Sequence, residues 1–286
     1  MIKNRREFYQ KLGFALLRLS LGMVILILVI IFIDIISKGS GIISWKFLTQ
    51  APREGMTEGG IFPAIVGTFY VTLITAFVAV PLGMGCAIYL NEYAYAGKLT
   101  RIIRMAIRNL SGVPSIVYGL FGVALFVEML NFGTGILAAG LTLGLMTLPW
   151  TITASEEALK SVPKSYREGS LALGATKWQA IRTNVLPYAV PGMLTGTILG
   201  LSRAAGETAP ILFTGAAFFL PDLPKSLSDQ FMALPYHLYI MATQHHDIEG
   251  VRPIAYGTAL VLIVFVFLMN LTGVIVRYRL RKAKKE

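Results

Sequence analysis

The chain has 286 residues, of which 55% are hydrophobic and 14% are charged, and its mean hydropathy is +0.66. This composition has too little polar surface to cover a soluble globule, so it indicates an integral membrane protein. The net charge of +11 requires no nucleic-acid partner, because basic cytoplasmic loops and contact with anionic membrane lipid account for it. The single cysteine, Cys86, excludes a disulfide within the chain.

Six apolar stretches are long enough to cross the hydrocarbon core of a membrane, which takes about 20 helical residues. Backbone groups in lipid must be paired within their own segment, so each stretch is predicted to be a helix. The first is too long for the core of a signal peptide and precedes no small-residue cleavage site, so we interpret it as an uncleaved anchor. The predicted spans are 14–36, 64–90, 111–130, 134–154, 188–217 and 255–277.

Basic residues are concentrated in alternate loops. The N-terminal end, the second and fourth loops and the C-terminal tail are rich in Lys and Arg, whereas the loop 221–252 holds two basic and four acidic residues. Because positively charged loops remain in the cytoplasm, both termini and the loop 155–187 are predicted to be cytoplasmic.

The loop 155–187 contains signals for local structure. Ser165 is a candidate N-cap, with Glu168 three residues later and Pro163 just before it. Apolar side chains surround Gly174, so we predict two short helices joined by a glycine bend. From the residues alone, two interpretations remain open: an amphipathic connector on the lipid headgroups, or an element that docks onto a cytosolic protein.

The spacing of Glu168, Gly174 and Leu186-Pro187 resembles the EAA signature of ABC importer permeases. That signature runs Glu-Ala-Ala, three residues, Gly, nine residues, Ile, one residue and Leu-Pro. The resemblance implies that residues 164–182 form coupling helices, which fit a cleft on a separate ATPase subunit.

This chain departs from the signature at Gly169 and Ser170, which replace the two alanines, and at Asn184, which replaces the isoleucine. These departures leave the register unchanged. The residues that the resemblance assigns to ATPase coupling are Tyr166, Arg167, Glu168, Gly169, Leu171, Ala172, Leu173, Gly174 and Ala175.

Two further strings, SGVPSIVYGLFG at 111–122 and GLSRAAGETAP at 200–210, resemble the permease subunits of the phosphate ABC importer. The string GIFPAIVGT at 60–68 resembles the PstA-type member of that family. The resemblance implies an all-α polytopic membrane protein with six transmembrane helices and a type I ABC importer permease (MetI-like) core with cytoplasmic coupling helices. The implied organisation is a cytoplasmic N-terminus 1–13, a first helix 14–36, a five-helix core 58–277 and a basic tail 278–286.

The same resemblance implies the partners and the location. The partners would be a second, PstC-like permease, a pair of PstB-like ATPase subunits and a PstS-like phosphate-binding protein outside the cell. ATP and Mg would be bound by the ATPase and no cofactor by this chain, which would lie in the cytoplasmic (inner) membrane of a prokaryote. No G-x-x-x-x-G-K-[ST] sequence occurs in the chain, so any ATP hydrolysis requires another polypeptide.

Arg203 and Glu207 are four residues apart in the fifth predicted span, which places them on one helical face. An ionisable residue near the bilayer centre costs about 2.5 to 3.5 kcal/mol, so the pair must face a cavity, a partner or each other. Three roles remain open for Arg203: contact with phosphate oxygens in a water-filled pathway, a structural ion pair, or a gate against the second permease.

Ser111 and Ser115 are predicted to begin a helix near the cytoplasmic face, where exposed amides and hydroxyls favour an anion. Helix capping is the alternative explanation. Ser202, next to Arg203, completes the predicted pathway residues. His237, His245 and His246 lack a third spaced ligand, so we interpret them as polar surface rather than a metal site.

Three functional classes follow from the sequence. The first is the permease subunit of an ATP-driven phosphate importer. The second is an ABC permease of the same architecture for another oxyanion, such as sulfate or molybdate. The third is a secondary carrier that needs no ATPase, although the inverted repeats typical of such carriers are not evident. A membrane enzyme is disfavoured, because no nucleophile, base and orienting group cluster at one depth.

Overall fold

The computed structural model describes residues 2–282, so parts of the predicted ends 1–13 and 278–286 lie outside the described residues. Two very short antiparallel strands, Pro52–Arg53 (β1) and Glu58–Gly59 (β2), interrupt an otherwise helical chain. The helices in this described part are Ile2–Gly39 (α1), Trp45–Thr49 (α2), Phe62–Ile88 (α3), Lys98–Leu110 (α4), Ser115–Gly122 (α5), Ile136–Lys160 (α6), Lys164–Ala172 (α7), Lys177–Ala180 (α8), Leu186–Ala205 (α9), Ala209–Thr214 (α10), Leu234–Thr243 (α11) and Ile248–Lys282 (α12).

Within residues 2–282, five helical segments are long and apolar enough to cross a membrane, and a sixth is obtained if a bent pair of helices counts as one span. Three π-helical segments extend the regular helices: Tyr89–Tyr93 after α3, Val123–Met129 after α5 and Ile181–Val185 before α9. The bent pair consists of α4 and the α5 segment through Met129, whose axes differ by 104°. Hydropathy predicted the part that contains α5 but missed α4. Helix α4 has basic residues on one face and apolar residues on another, so its mean hydropathy is low.

The fifth predicted span, 188–217, extends too far at its C-terminal end. Helix α9 ends at Ala205, Gly206 follows as its C-cap, and α10 begins separately at Ala209. Pro210 explains the break, because proline has no N–H to donate and its ring clashes with the carbonyl four residues earlier in a continuous helix. The apolar residues of α10 therefore belong to a second, short helix.

Helices α3, α6 and α9 pack at the centre of the molecule. Small residues allow the close contacts: a Cβ at Gly196 would lie 2.0 Å from the Ala154 side chain, and one at Gly140 would lie 2.6 Å from Ile74. Glycines 192, 196 and 200 all face α6, so this stripe serves packing within the chain. The close packing fixes the positions of the loops at both ends of α9.

The long loop after α10 folds back into the core. Helix α11 packs against α12, and Leu234, Ile240 and Met241 are almost fully buried. The interpretation of the histidines as polar surface is wrong for two of them, because His237 is 1% exposed and His245 is 5% exposed. Burial lowers the pKa of His237 to about 4, so this ring is neutral at physiological pH.

Candidate functional site

Two candidate sites lie near opposite ends of α9. The coupling segment, residues 164–182, leads through a π-helical turn into the start of α9 at Leu186. Arg203 lies in the last turn of the same helix. At a rise of about 1.5 Å per residue, the 17 residue steps from Leu186 to Arg203 separate the two sites by about 25 Å.

The coupling segment forms the two predicted helices, α7 and α8, but its caps differ from the prediction. Helix α7 begins at Lys164 with Pro163 at the N-cap, so Ser165 lies inside the helix and does not cap it. The capping box is at α8, where the backbone N–H of Gln179 donates to Thr176 Oγ1 over 3.3 Å. The Thr176 N–H donates in return to Gln179 Oε1 over 2.8 Å.

Gly174 makes the bend between the two helices. Its φ is +84°, in the left-handed region that glycine adopts without steric cost. Leu173, just before it, is 91% exposed, so the tip of the segment presents an apolar side chain to its surroundings. Glu168, Gly169, Leu171 and Ala172 are exposed as well, while Ala175 is half-buried.

Arg167 holds α7 to the membrane helices. Its Nε donates to both carboxylate oxygens of Glu92, over 3.2 and 3.1 Å, and its Nη2 donates to Glu92 Oε1 over 2.6 Å. The guanidinium also donates to the carbonyls of Val162 and Leu159 at the end of α6, each over 3.0 Å. Glu92 follows α3, so this one side chain joins α3, α6 and α7.

Two aromatic contacts support the same attachment. The ring of Tyr166 lies 5.2 Å from that of Tyr188 in α9, and the ammonium group of Lys177 lies 5.0 Å from the ring centroid of Tyr93. The structure therefore divides the predicted coupling residues. Tyr166 and Arg167 contact the membrane helices, whereas the residues from Glu168 to Gly174 are exposed, except Ser170.

Two departures from the family signature contact each other. The amide Nδ2 of Asn184 donates to Ser170 Oγ over 2.5 Å and so joins α7 to the turn before α9. An alanine and an isoleucine at these positions would meet through apolar contact instead. The hydrogen bond therefore requires both departures from the signature.

Arg203 and Glu207 form an ion pair, although α9 ends between them. The distance from Arg203 Nε to Glu207 Oε1 is 3.3 Å. The guanidinium carbon lies 5.4 Å from the ring centroid of Trp150 in α6, so a cation–π contact supports its other side. The Arg203 side chain is 51% exposed and that of Glu207 is 16% exposed. The contacts found in residues 2–282 use the Nε donor of Arg203 and leave its terminal nitrogens for another group.

The prediction that Arg203 and Glu207 lie on one face of a continuous helix is wrong, because Arg203 occupies the last turn of α9 and Glu207 lies beyond its end. The positive charge of Arg203 lies at the helix C-terminus, where the helix dipole favours a cation. Glu207 also borders a small cavity lined by Thr68 and Thr72 of α3.

The three serines are not gathered around Arg203. The hydroxyl of Ser202 faces α12, where its oxygen lies 2.6 Å from Asn270 Oδ1. Ser111 is the C-cap of α4, and Ser115 is the first residue of α5 behind Pro114. Neither serine caps α5 through its side chain, so the capping explanation for them is wrong.

Sequence reasoning missed two residues that complete the sites, Glu92 and Trp150. Glu92 is an acidic residue at the end of a long apolar stretch, and its position next to a basic loop was an available signal. Trp150 carried no such signal, because an aromatic residue after a proline in an apolar helix is ordinary core composition.

Comparisons with known proteins identify the family of the chain. Residues 79–285 match the family of binding-protein-dependent transport system inner membrane components. The probable ABC transporter permease protein YqgI of Bacillus subtilis is 34% identical over 94% of this chain and 95% of its own length. The phosphate transport system permease protein PstA 2 of Mycobacterium bovis is 32% identical over 98% of this chain and 92% of its own length.

A solved structure gives the fold comparison. The MetNI methionine ABC transporter, in an inward-facing conformation, is similar with a TM-score of 0.61 over 77% of this chain and 97% of that chain. The sequence identity of 19% supports the fold alone. The predicted all-α fold with a MetI-like core is confirmed.

Proposed function

Since this chain belongs to the family of binding-protein-dependent transport system inner membrane components, we propose that it is the permease subunit of a phosphate importer. The chain is a non-catalytic membrane subunit of an ABC importer, which works with an ATPase and a binding protein. The phosphate assignment rests on relatives named as PstA permeases and on the chemistry of Arg203.

The observation that carries the substrate class is the half-exposed guanidinium of Arg203. Glu207 accepts a hydrogen bond from Nε of the guanidinium, and the Trp150 ring lies against one face of it. The two terminal nitrogens then form a planar fork of donors. Such a fork matches two oxygens of an oxyanion. We assign Arg203 as a contact for phosphate in the translocation pathway, of which this chain forms one half and a second, PstC-like permease the other.

The coupling role is assigned to the exposed part of residues 164–182. A PstB-like ATPase bound at Leu173 and Gly174 would move α7, and the hydrogen bonds of Arg167 would carry that motion to α3 and α6. ATP and Mg act on the ATPase, and a PstS-like binding protein supplies phosphate from outside. In this arrangement both termini and the coupling segment are cytoplasmic, and ATP binding opens the pathway outward.

The test is phosphate uptake in prokaryotic cells that lack their own high-affinity system and express the complete transporter. We expect Arg203→Gln to abolish uptake while the protein remains in the membrane at normal abundance. Arg252→Gln is the matched control, because Arg252 is also exposed and, within residues 2–282, its ion pair is with Glu249 on its own helix. Normal uptake by Arg203→Gln would refute the role of Arg203.

The same cells separate phosphate from other oxyanions. An excess of unlabelled phosphate should suppress the uptake of labelled phosphate, while sulfate and molybdate at the same concentration should leave it unchanged. Transport of sulfate or molybdate in place of phosphate would leave the assignment as an ABC importer unchanged but would overturn the assignment of phosphate as its substrate.

A further inference from the structure

Helix α4, residues Lys98–Leu110, has two exposed faces of opposite character. At 100° per residue, Leu99, Ile102, Ile103 and Leu110 fall on one side, and all four are exposed. Helical geometry places Lys98, Arg101 and Arg108 on the other side, and these residues are exposed too. Such a division, with basic residues opposite an exposed apolar face, is typical of helices that lie in a membrane interface.

The core fixes the orientation of α4. On the side between its two exposed faces, Arg104 Nε lies 2.7 Å from Glu156 of α6, and Arg104 Nη2 donates to the carbonyl of Leu90 over 2.8 Å. The helix axis is turned by 104° from the following segment through Met129. If that apolar segment follows the membrane normal, α4 lies close to the membrane plane.

A concave basic surface adjoins the first turns of α4. It encloses about 540 Å³ and is lined by Lys98, Thr100, Arg101, Arg104 and Arg108. Arg104 is neutralised by Glu156, and within the described part of the chain no ion pair involves the other three basic residues. The sequence of α4 contains no acidic residue, so its basic face is complementary to an anion rather than to another basic protein surface.

We propose that α4 is an anionic-lipid site, in which the concave basic surface binds the phosphodiester headgroup of an acidic phospholipid. Leu99, Ile102, Ile103 and Leu110 then enter the adjoining acyl region, so one lipid molecule and the helix share the interface. Because Arg104 ties α4 to α6 and to the segment that follows α3, lipid bound here would hold these ends of α3 and α6 at a fixed depth.

This inference goes beyond the proposed transport function and does not depend on the substrate. Each basic residue near an anionic membrane surface contributes roughly fivefold to binding. Removal of two of them should therefore weaken the preference for an acidic lipid by more than tenfold at low salt. High salt should reduce that preference as well, because exposed charges are screened.

The first experiment uses the complete transporter reconstituted in phosphatidylcholine vesicles that contain spin-labelled phosphatidylglycerol or spin-labelled phosphatidylcholine. We expect more motionally restricted label for phosphatidylglycerol, and we expect Arg101→Gln/Arg108→Gln to remove this preference. The matched control is Arg279→Gln/Lys282→Gln, which removes equal charge from the end of α12. An equal loss in both variants, or no loss in the α4 variant, would overturn the site.

Two further arms identify the source of the anion and the depth of the helix. Inorganic phosphate at 10 mM with constant ionic strength should leave the lipid preference unchanged; displacement of the lipid would assign the surface to the free ion. A spin label at Ile102→Cys, in a Cys86→Ala background, should be accessible to oxygen and shielded from a water-soluble nickel complex. Shielding from both relaxation agents would place a protein subunit there and overturn the proposal.

Discussion

The arginine that anchors the coupling segment and the arginine proposed for the pathway have opposite environments. Arg167 is 22% exposed, faces a Glu92 carboxylate that is 5% exposed, and donates to three separate residues. Arg203 is half-exposed and makes one described polar contact, with Glu207. A guanidinium whose three nitrogens all donate to protein groups holds helices together, whereas one whose terminal nitrogens are not used within the described residues remains able to bind an anion.

The largest effect should come from breaking the buried pair. Arg167→Gln leaves Glu92 without its main partner, and such a loss costs about 3 to 5 kcal/mol. Thermal unfolding of the purified transporter in detergent should shift to a clearly lower temperature for Arg167→Gln and for Glu92→Gln. The double variant should be less destabilised than the sum of the two, because no charge is then left unpaired. If the destabilisation of the double variant equals the sum of the two single destabilisations, the two side chains are not coupled.

A smaller effect should come from the bend that presents the coupling tip. Gly174→Val places a β-branched residue at a φ of +84°, which costs about 1 to 2 kcal/mol and misdirects Leu173. We expect less ATPase to co-purify with the permease while the spans still insert. Gly174→Asn is the matched control and should retain more ATPase, because asparagine tolerates this conformation better. If the wild type, Gly174→Val and Gly174→Asn co-purify with equal amounts of ATPase, the bend is not part of the coupling interface.

The hydrogen bond between Ser170 and Asn184 should contribute less to stability than the Arg167–Glu92 pair. Ser170→Ala should lower the stability of the transporter by about 1 kcal/mol, since the Asn184 amide loses an acceptor. Ser170→Ala/Asn184→Ile replaces both partners by the family residues and should recover most of that loss. Melting temperatures of the two variants provide the measurement, and a double variant less stable than Ser170→Ala would contradict the account.

The smallest effect is expected from the ring beside Arg203. Trp150→Leu removes a cation–π contact worth about 0.5 to 1 kcal/mol, so phosphate uptake should fall by about two- to fivefold. Trp150→Phe keeps an aromatic face and should show a smaller decrease. The fall should appear in the apparent affinity for phosphate rather than in the amount of protein in the membrane. Identical uptake by the wild type and Trp150→Leu would exclude a positioning role for the ring.

Much of this fold could be predicted from the sequence, because lipid imposes long apolar helices and hydropathy locates them. The bend at Gly174 was predictable for a different reason: few residues other than glycine adopt its backbone conformation. The end of α9 at Ala205 was missed, although Pro210 gave a signal, because the apolar run continues through the break.

The contacts that distinguish the two arginines could not be predicted. Glu92 and Arg167 are 75 residues apart, and Trp150 and Arg203 belong to different helices. Each pair meets through tertiary packing: α7 against the end of α3 for the first, and α6 against α9 for the second. Local sequence patterns contain no information about such distances. The same holds for Ser170 and Asn184, whose pairing depends on how α7 folds back onto the turn before α9.

Arg203 is thus proposed to contact the transported anion, whereas Arg167 holds the coupling segment to the membrane helices. The most direct test measures phosphate uptake per assembled transporter in proteoliposomes, together with the melting temperature, for Arg203→Gln and Arg167→Gln. The account predicts that Arg203→Gln abolishes uptake with a melting temperature close to that of the wild type, while Arg167→Gln lowers the melting temperature strongly. Normal uptake by assembled Arg203→Gln, or a destabilisation as large as that of Arg167→Gln, would contradict it.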